Sequence, residues 1–184
     1  MKEDMRNDFL EAVKESNVSD FSLVSLHKYE SVLIDILDRF TSLGKKGLDH
    51  YWWWNSFNQS HVTAMSTYVP DAIEEFFDRN EKVWFVAEDW HVAKKTGCFW
   101  LYESSLGSVI KVLNEMYGFE YYIVNRKMEW MIGENHHDIL FALGEHAIKT
   151  VMESNMPNKT FNSTPKSRAN SLNRWAVKKE RIGI

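Results

Sequence analysis

The densest group of side chains able to do chemistry is Glu134-Asn135-His136-His137-Asp138. Imidazoles and carboxylates are the usual proton carriers and metal ligands near neutral pH, so Glu134, His136, His137 and Asp138 are the candidate catalytic residues. The segment also reads as the start of a helix over 136–152, with Asn135 as N-cap and Asp138 placing negative charge in the first turn. On such a helix adjacent histidines point about 100° apart, and His146 lies about half a turn from His137. One ion shared by them is disfavoured, and neither a metal nor another cofactor is expected.

A second group is the aromatic run Tyr51-Trp52-Trp53-Trp54. Four aromatics in a row are most simply core, because each buries a large area. If exposed, Trp52, Trp53 and Trp54 would form a hot spot for a protein partner, or the Asn135–Asp138 loop, with Asn135 and His136, would anchor it. The lone Cys98 sits beside Phe99-Trp100-Leu101 with no local cation to activate it, and reads as packing. The chain has no G-x-S-x-G, Walker loop, G-x-G-x-x-G, H-E-x-x-H or C-x-x-C motif, which weighs against the common enzyme classes.

The elements that must position these residues follow from periodicity. Helices are expected over 5–15 and 28–43, the second with Gly44 as its C-cap, and over 105–117 with Ser104-Ser105 at its start. A short helix opens at Pro70-Asp71 and carries Ile73, Phe76 and Phe77. Residues 83–87, 98–102, 119–124 and 128–132 are strand-like, the first pair joined by Lys94-Lys95-Thr96-Gly97 and the second by Asn125-Arg126-Lys127. Residues 48–69 fit either a strand or a helix. The expected class is α+β: a mainly antiparallel sheet of four to five strands packed with helices, N-terminal helices before it and a basic C-terminal tail after it.

Composition agrees with a folded domain. The 184 residues are 44% hydrophobic, 26% charged and 14% aromatic, as in a globular protein with an aromatic excess. The net charge of −4 is unevenly spread. Residues 156–184 hold seven Lys or Arg against the single acid Glu180, a charge of +6, leaving −10 on the rest. This divides the chain into an acidic α+β domain, 1–152, and a polar, basic tail, 153–184, either disordered or docked on the domain. The acidic body would repel phosphates and attract basic protein surfaces, so nucleic acid is a partner only through the tail. No apolar stretch has membrane-spanning length and no secretory leader is apparent, so a cytoplasmic protein with no membrane partner is expected. Oligomeric state is left open.

Val69-Pro70-Asp71, followed by Phe76-Phe77 and Asn80, resembles the proline-to-phenylalanine helix of the SUKH superfamily over about 12 residues. It departs where a glycine pair would follow the asparagine and Glu81-Lys82 stands instead. The stretch from Phe99-Trp100-Leu101-Tyr102-Glu103 through Tyr121–Val124 to the Glu134–Asp138 segment is similar to small uncharacterised bacterial proteins of immunity type. The resemblance implies an α+β binder that neutralises a toxin and carries no reaction. The leading expectation is therefore a protein-binding module for a basic partner, steered electrostatically. The alternatives are an enzyme centred on Glu134–Asp138 and a nucleic-acid-associated protein acting through its tail.

Overall fold

The computed structural model describes residues 5–65, 69–90, 98–116 and 118–163. Its centre is one antiparallel sheet of eight strands: β1 (Ser22–Leu23), β2 (His61–Met65), β3 (Lys82–Glu88), β4 (Phe99–Ser105), β5 (Tyr121–Asn125), β6 (Met131–Asn135), β7 (Ile139–Leu143) and β8 (Thr160–Asn162). Their spatial order is β1-β4-β3-β5-β6-β7-β2-β8. The α+β class stands, but the sheet has eight strands rather than four to five. Helices α1 (Met5–Glu15), α2 (Leu26–Phe40), α3 (Val69–Phe76), α4 (Leu106–Asn114) and α5 (Glu145–Glu153) complete the fold, with short 3₁₀ helices at Gly44–Asp49 and Trp53–Ser56.

The sheet is covered on both sides. One face packs Val83, Phe85, Ile123, Ile132 and Leu140 under α1, α3, α4 and α5, through residues such as Phe9, Ile73, Val109 and Ala147. The other face packs Trp84, Val86, Tyr122, Val124, Met131 and Phe141 under Leu33, Ile36, Leu37 and Phe40 of α2, and under Trp53. Strands buried on both faces lose the polar alternation that marks a half-exposed strand. That is why Ile139–Leu143, apolar throughout, reads as helix in the sequence although it forms β7. The helix that follows begins only at Glu145.

Other boundaries moved for local reasons. Helix α2 stops at Phe40, where Thr41 is extended and turns its hydroxyl back to the Leu37 carbonyl at 2.8 Å. Gly44 is thus not the C-cap. Its φ of +54° opens the 3₁₀ helix instead. Strand β8, inside the stretch expected as a polar tail, pairs with β2. The basic tail from 164 onward, with its amphipathic end, and the Lys94–Gly97 turn lie outside the described residues.

Helix α4 is started by a residue distant in sequence. Ser105 is the N-cap but makes no cap bond of its own. Asp20 accepts hydrogen bonds from the Ser105 backbone N at 3.0 Å, the Ser108 hydroxyl at 2.5 Å and the Lys82 ammonium at 2.8 Å. Burial pushes the Asp20 carboxyl up, but the donors from Lys82, Ser108 and Ser105 together outweigh it and hold it well below the usual carboxylate range. A carboxyl lowered in the folded state stabilises the fold above its unfolded pKa, and that contribution fades as pH falls. Asp20→Ala should therefore cost about 1–2 kcal/mol at neutral pH. The deficit should shrink on acidification, measured as the wild-type minus variant difference in urea unfolding at pH 7 and pH 3.

Candidate functional site

At one end of the sheet, β3 runs out at Glu88 and β5 is about to begin at Tyr121. The Glu88 backbone N donates to the Glu120 carbonyl at 2.9 Å, one step past the Ala87–Tyr121 pairing. Alternation from Val86 and Tyr122, both on the α2 face, puts the Glu88 and Glu120 side chains on that same face. They are 1% and 0% exposed. Their carboxyl groups lie in hydrogen-bonding contact, which requires a proton between them because carboxylates only accept. Burial pushes Glu88 up to about 8, with the neighbouring Glu120 charge the next cause.

The cover over this pair comes from the tryptophan run. Trp52 adopts φ +62°, so its backbone N is aimed at Glu88 and donates at 2.9 and 3.2 Å to the two carboxyl oxygens. Trp53 turns inward, fully buried, and its indole donates to the Gly47 carbonyl at 2.9 Å. Its ring centroid lies 4.4 Å from Phe99 and 5.0 Å from Tyr122. Trp54 donates its indole N–H to both Glu120 oxygens at 3.2 Å. The three tryptophans therefore have three roles: Trp53 is core, Trp54 holds the site, and Trp52 keeps an exposed ring. A uniform reading of the run, as all core or all surface, does not hold.

Tyr122 completes the floor, its hydroxyl 3.3 Å from Glu88 Oε2. Burial, then the charges of Glu88 and Glu120, raise that phenol well above its ordinary value, so it stays a donor. Trp90 donates its indole N–H to Glu88 Oε1 at 3.2 Å while its ring stays exposed. Glu88 is thus held by neutral donors. Among the described residues no Lys or Arg side chain pairs with either.

The Glu134–Asp138 segment is not a helix start but the hairpin between β6 and β7. Asn135 Oδ1 accepts from the backbone N of His137 at 3.0 Å and of Ile139 at 3.3 Å, and Asp138 takes φ +56° to close the turn. His136 alone reaches the buried pair: its ring Nδ1 and its backbone N both meet Glu120 Oε1. The contact is an ion pair whenever the imidazole is protonated. The His137 ring lies tilted against His136, centroids 3.9 Å apart, beside Trp54.

Glu134 points to the opposite face of the sheet, where the Tyr121 hydroxyl donates to it at 2.9 Å. Burial raises its carboxyl, opposed by that hydrogen bond. The four sequence candidates therefore do not converge. His136 enters the site, Asn135 braces the turn, His137 flanks it, and Glu134 and Asp138 face elsewhere. Cys98 is buried, as expected of packing.

Glu88, Glu120, Tyr122 and Trp90 escaped the sequence reading. The available signal was Glu88-Asp89-Trp90 directly after a strand apolar on both faces, and Glu120 directly before another. A charge at the buried end of such a strand needs a reason. Chemically the site can hold one proton between two carboxyls, orient one imidazole, and face a cation with aromatic rings. Among the described residues no group of three or more His, Cys, Asp or Glu is arranged to hold a metal ion. No described helix is long and apolar enough to cross a membrane.

A raised carboxyl makes the folded state bind more protons than the unfolded chain between the two pKa values, so it costs stability as pH rises from about 4.5 to about 8. Glu88→Gln keeps the shape and the protonated form's neutrality. We expect the variant to match wild type near pH 5 and to exceed it by a few kcal/mol at pH 8–9, in paired urea titrations.

The sequence model of one family, described as "Family of unknown function (DUF6756)", matches residues 1–155, and the chain belongs to that family. No curated protein matches it.

Proposed function

We propose that this member of the DUF6756 family is a protein-binding module whose partner is basic, with toxin neutralisation of the immunity type as its role. One observation carries the reading. The half-exposed indoles of Trp52 and Trp90 converge on His136, with ring centroids at 6.0 and 5.7 Å, directly above two buried carboxyls that have no Lys or Arg partner among the described residues. Exposed tryptophans backed by a rigid buried network have the make-up of an interface hot spot. The −10 charge of residues 1–155 supplies long-range attraction for a basic surface and speeds encounter. The SUKH-like segment at Val69–Asn80 and the immunity-type likeness from Phe99 to Asp138 point the same way by analogy. The family match ends before the basic tail, so the binding role is assigned to the acidic domain.

The His136–Glu120 pair favours a second reading, an enzyme with His136 as a base oriented by a buried carboxylate. Among the described residues Glu134 turns to the opposite face of the sheet and does not join His136, so the binding reading is preferred.

The test is complex formation. A partner recovered with the tagged chain from cells that express it should be reconstituted as a pure complex. Replacing both Trp52 and Trp90 by Ala should weaken it at least about tenfold while the chain still unfolds in one cooperative transition, and raising salt should slow association. A complex indifferent to both changes contradicts the proposal, as does a chain that turns over a small molecule only when His136 is intact.

A further inference from the structure

We propose that the acidic groove between α1 and the end of α4 is the docking site of the chain's own basic tail, residues 164–184. The inference does not rest on the binding reading above.

The groove has a volume of about 670 Å³ and is walled by α1 on one side and by the end of α4 and Phe119 on the other. Four exposed carboxylates line it: Asp8, Glu11 and Glu15 of α1, and Glu115 at the C-cap of α4. Spacings of three and four residues put the three acids of α1 on neighbouring turns of one face, where like charges repel. Glu15 ends α1 and Glu115 follows the last turn of α4, so the partial negative ends of both helices add to the carboxylates. Among the described residues no Lys or Arg lines the groove, and none of the four acids makes an ion pair. Beside the acids the lining is apolar, with Met116 and Phe119 only partly buried. Such a surface suits a cover that is both cationic and apolar.

The tail has that composition. Residues 164–184 hold six Lys or Arg against Glu180, a charge of +5. Leu172, Trp175 and Ile182 are interleaved with Arg174, Lys178, Lys179 and Arg181. Long basic side chains lay their aliphatic stems on apolar surface while their heads meet carboxylates. Trp175 supplies the large apolar area that anchors a docked segment.

Tethering makes a weak contact sufficient, because a segment on the same chain faces its site at an effective concentration on the order of millimolar. The reach is adequate. Asn162 ends β8 opposite His61, at the far edge of the sheet and at the other end of the strands from Glu88. Five strand spacings and one strand length make a diagonal of about 30 Å. The chain from Ser163 to Lys178 spans up to about 50 Å when extended.

The test uses the full chain with a nitroxide placed on Ser171→Cys. Cys98 is buried and does not compete for the label. Amide NMR signals of residues 8–15, 115, 116 and 119 should broaden well beyond those of α2, which covers the other face of the sheet. The effect should fall at least about threefold when Glu11→Lys and Glu15→Lys are combined, and likewise in about 1 M salt, where the screening length is about 3 Å. Adding Lys178→Glu and Lys179→Glu to the charge-reversed chain should restore the broadening, which damage to α1 alone would not permit. Broadening confined to β8 and its neighbours, or equal in α2 and the groove, overturns the inference. So does broadening that survives charge reversal. A mixture of isotope-labelled and spin-labelled chains that shows the same broadening also overturns it, by assigning the groove to the tail of a second copy.

Discussion

Two carboxyls buried side by side are the constraint around which this end of the molecule is built. An unpaired carboxylate in an apolar interior is too costly to keep, and two adjacent ones are costlier still. The fold meets that cost locally, with a shared proton, the Trp52 backbone N–H and the Trp54 indole N–H, the Trp90 indole, the Tyr122 hydroxyl and the His136 ring. Each donor fixes an element. Trp52 must adopt a left-handed backbone, the β6–β7 turn must bring His136 over the strand ends, and Trp53 must be driven into the core to hold the turn in place.

That arrangement depends on a sheet covered on both faces. The carboxyls lie at the ends of β3 and β5, inner strands of the sheet, and the α2 layer shields them through Trp53 and Tyr122. Gly133 on β6 contributes by absence: a Cβ there would run into the Tyr121 carbonyl and the Phe141 ring. With glycine in place, Phe141 sits 5.5 Å from Tyr122 and supports the floor of the site. What remains exposed there is the indoles of Trp52 and Trp90.

The helices and the inner strands were legible in the sequence because their apolar spacing is regular, as in Val32, Leu33, Ile36 and Leu37 of α2. The two edge strands and β7 were not. Strands β1 and β8 have two and three residues, too few for any period to show, and β7 is apolar on both faces like a buried helix. The site was half legible. His136 and the tryptophans stood out by type, but which tryptophan turns inward depends on the φ of Trp52, and the partners of His136 lie 16 and more residues away. Glu88 and Glu120 looked like ordinary charges, because only the pairing of β3 with β5 brings them together.

The central claim is that these two carboxyls hold one proton between them near neutral pH. The direct measurement is a carbon-13 NMR titration of the glutamate side-chain carboxyls, assigned by comparison with Glu88→Gln. The account predicts a resonance that titrates near pH 8 and disappears in the variant. If every glutamate carboxyl, Glu88 included, titrates in the ordinary range near 4.5, the pair is not a proton-sharing site and the account is wrong.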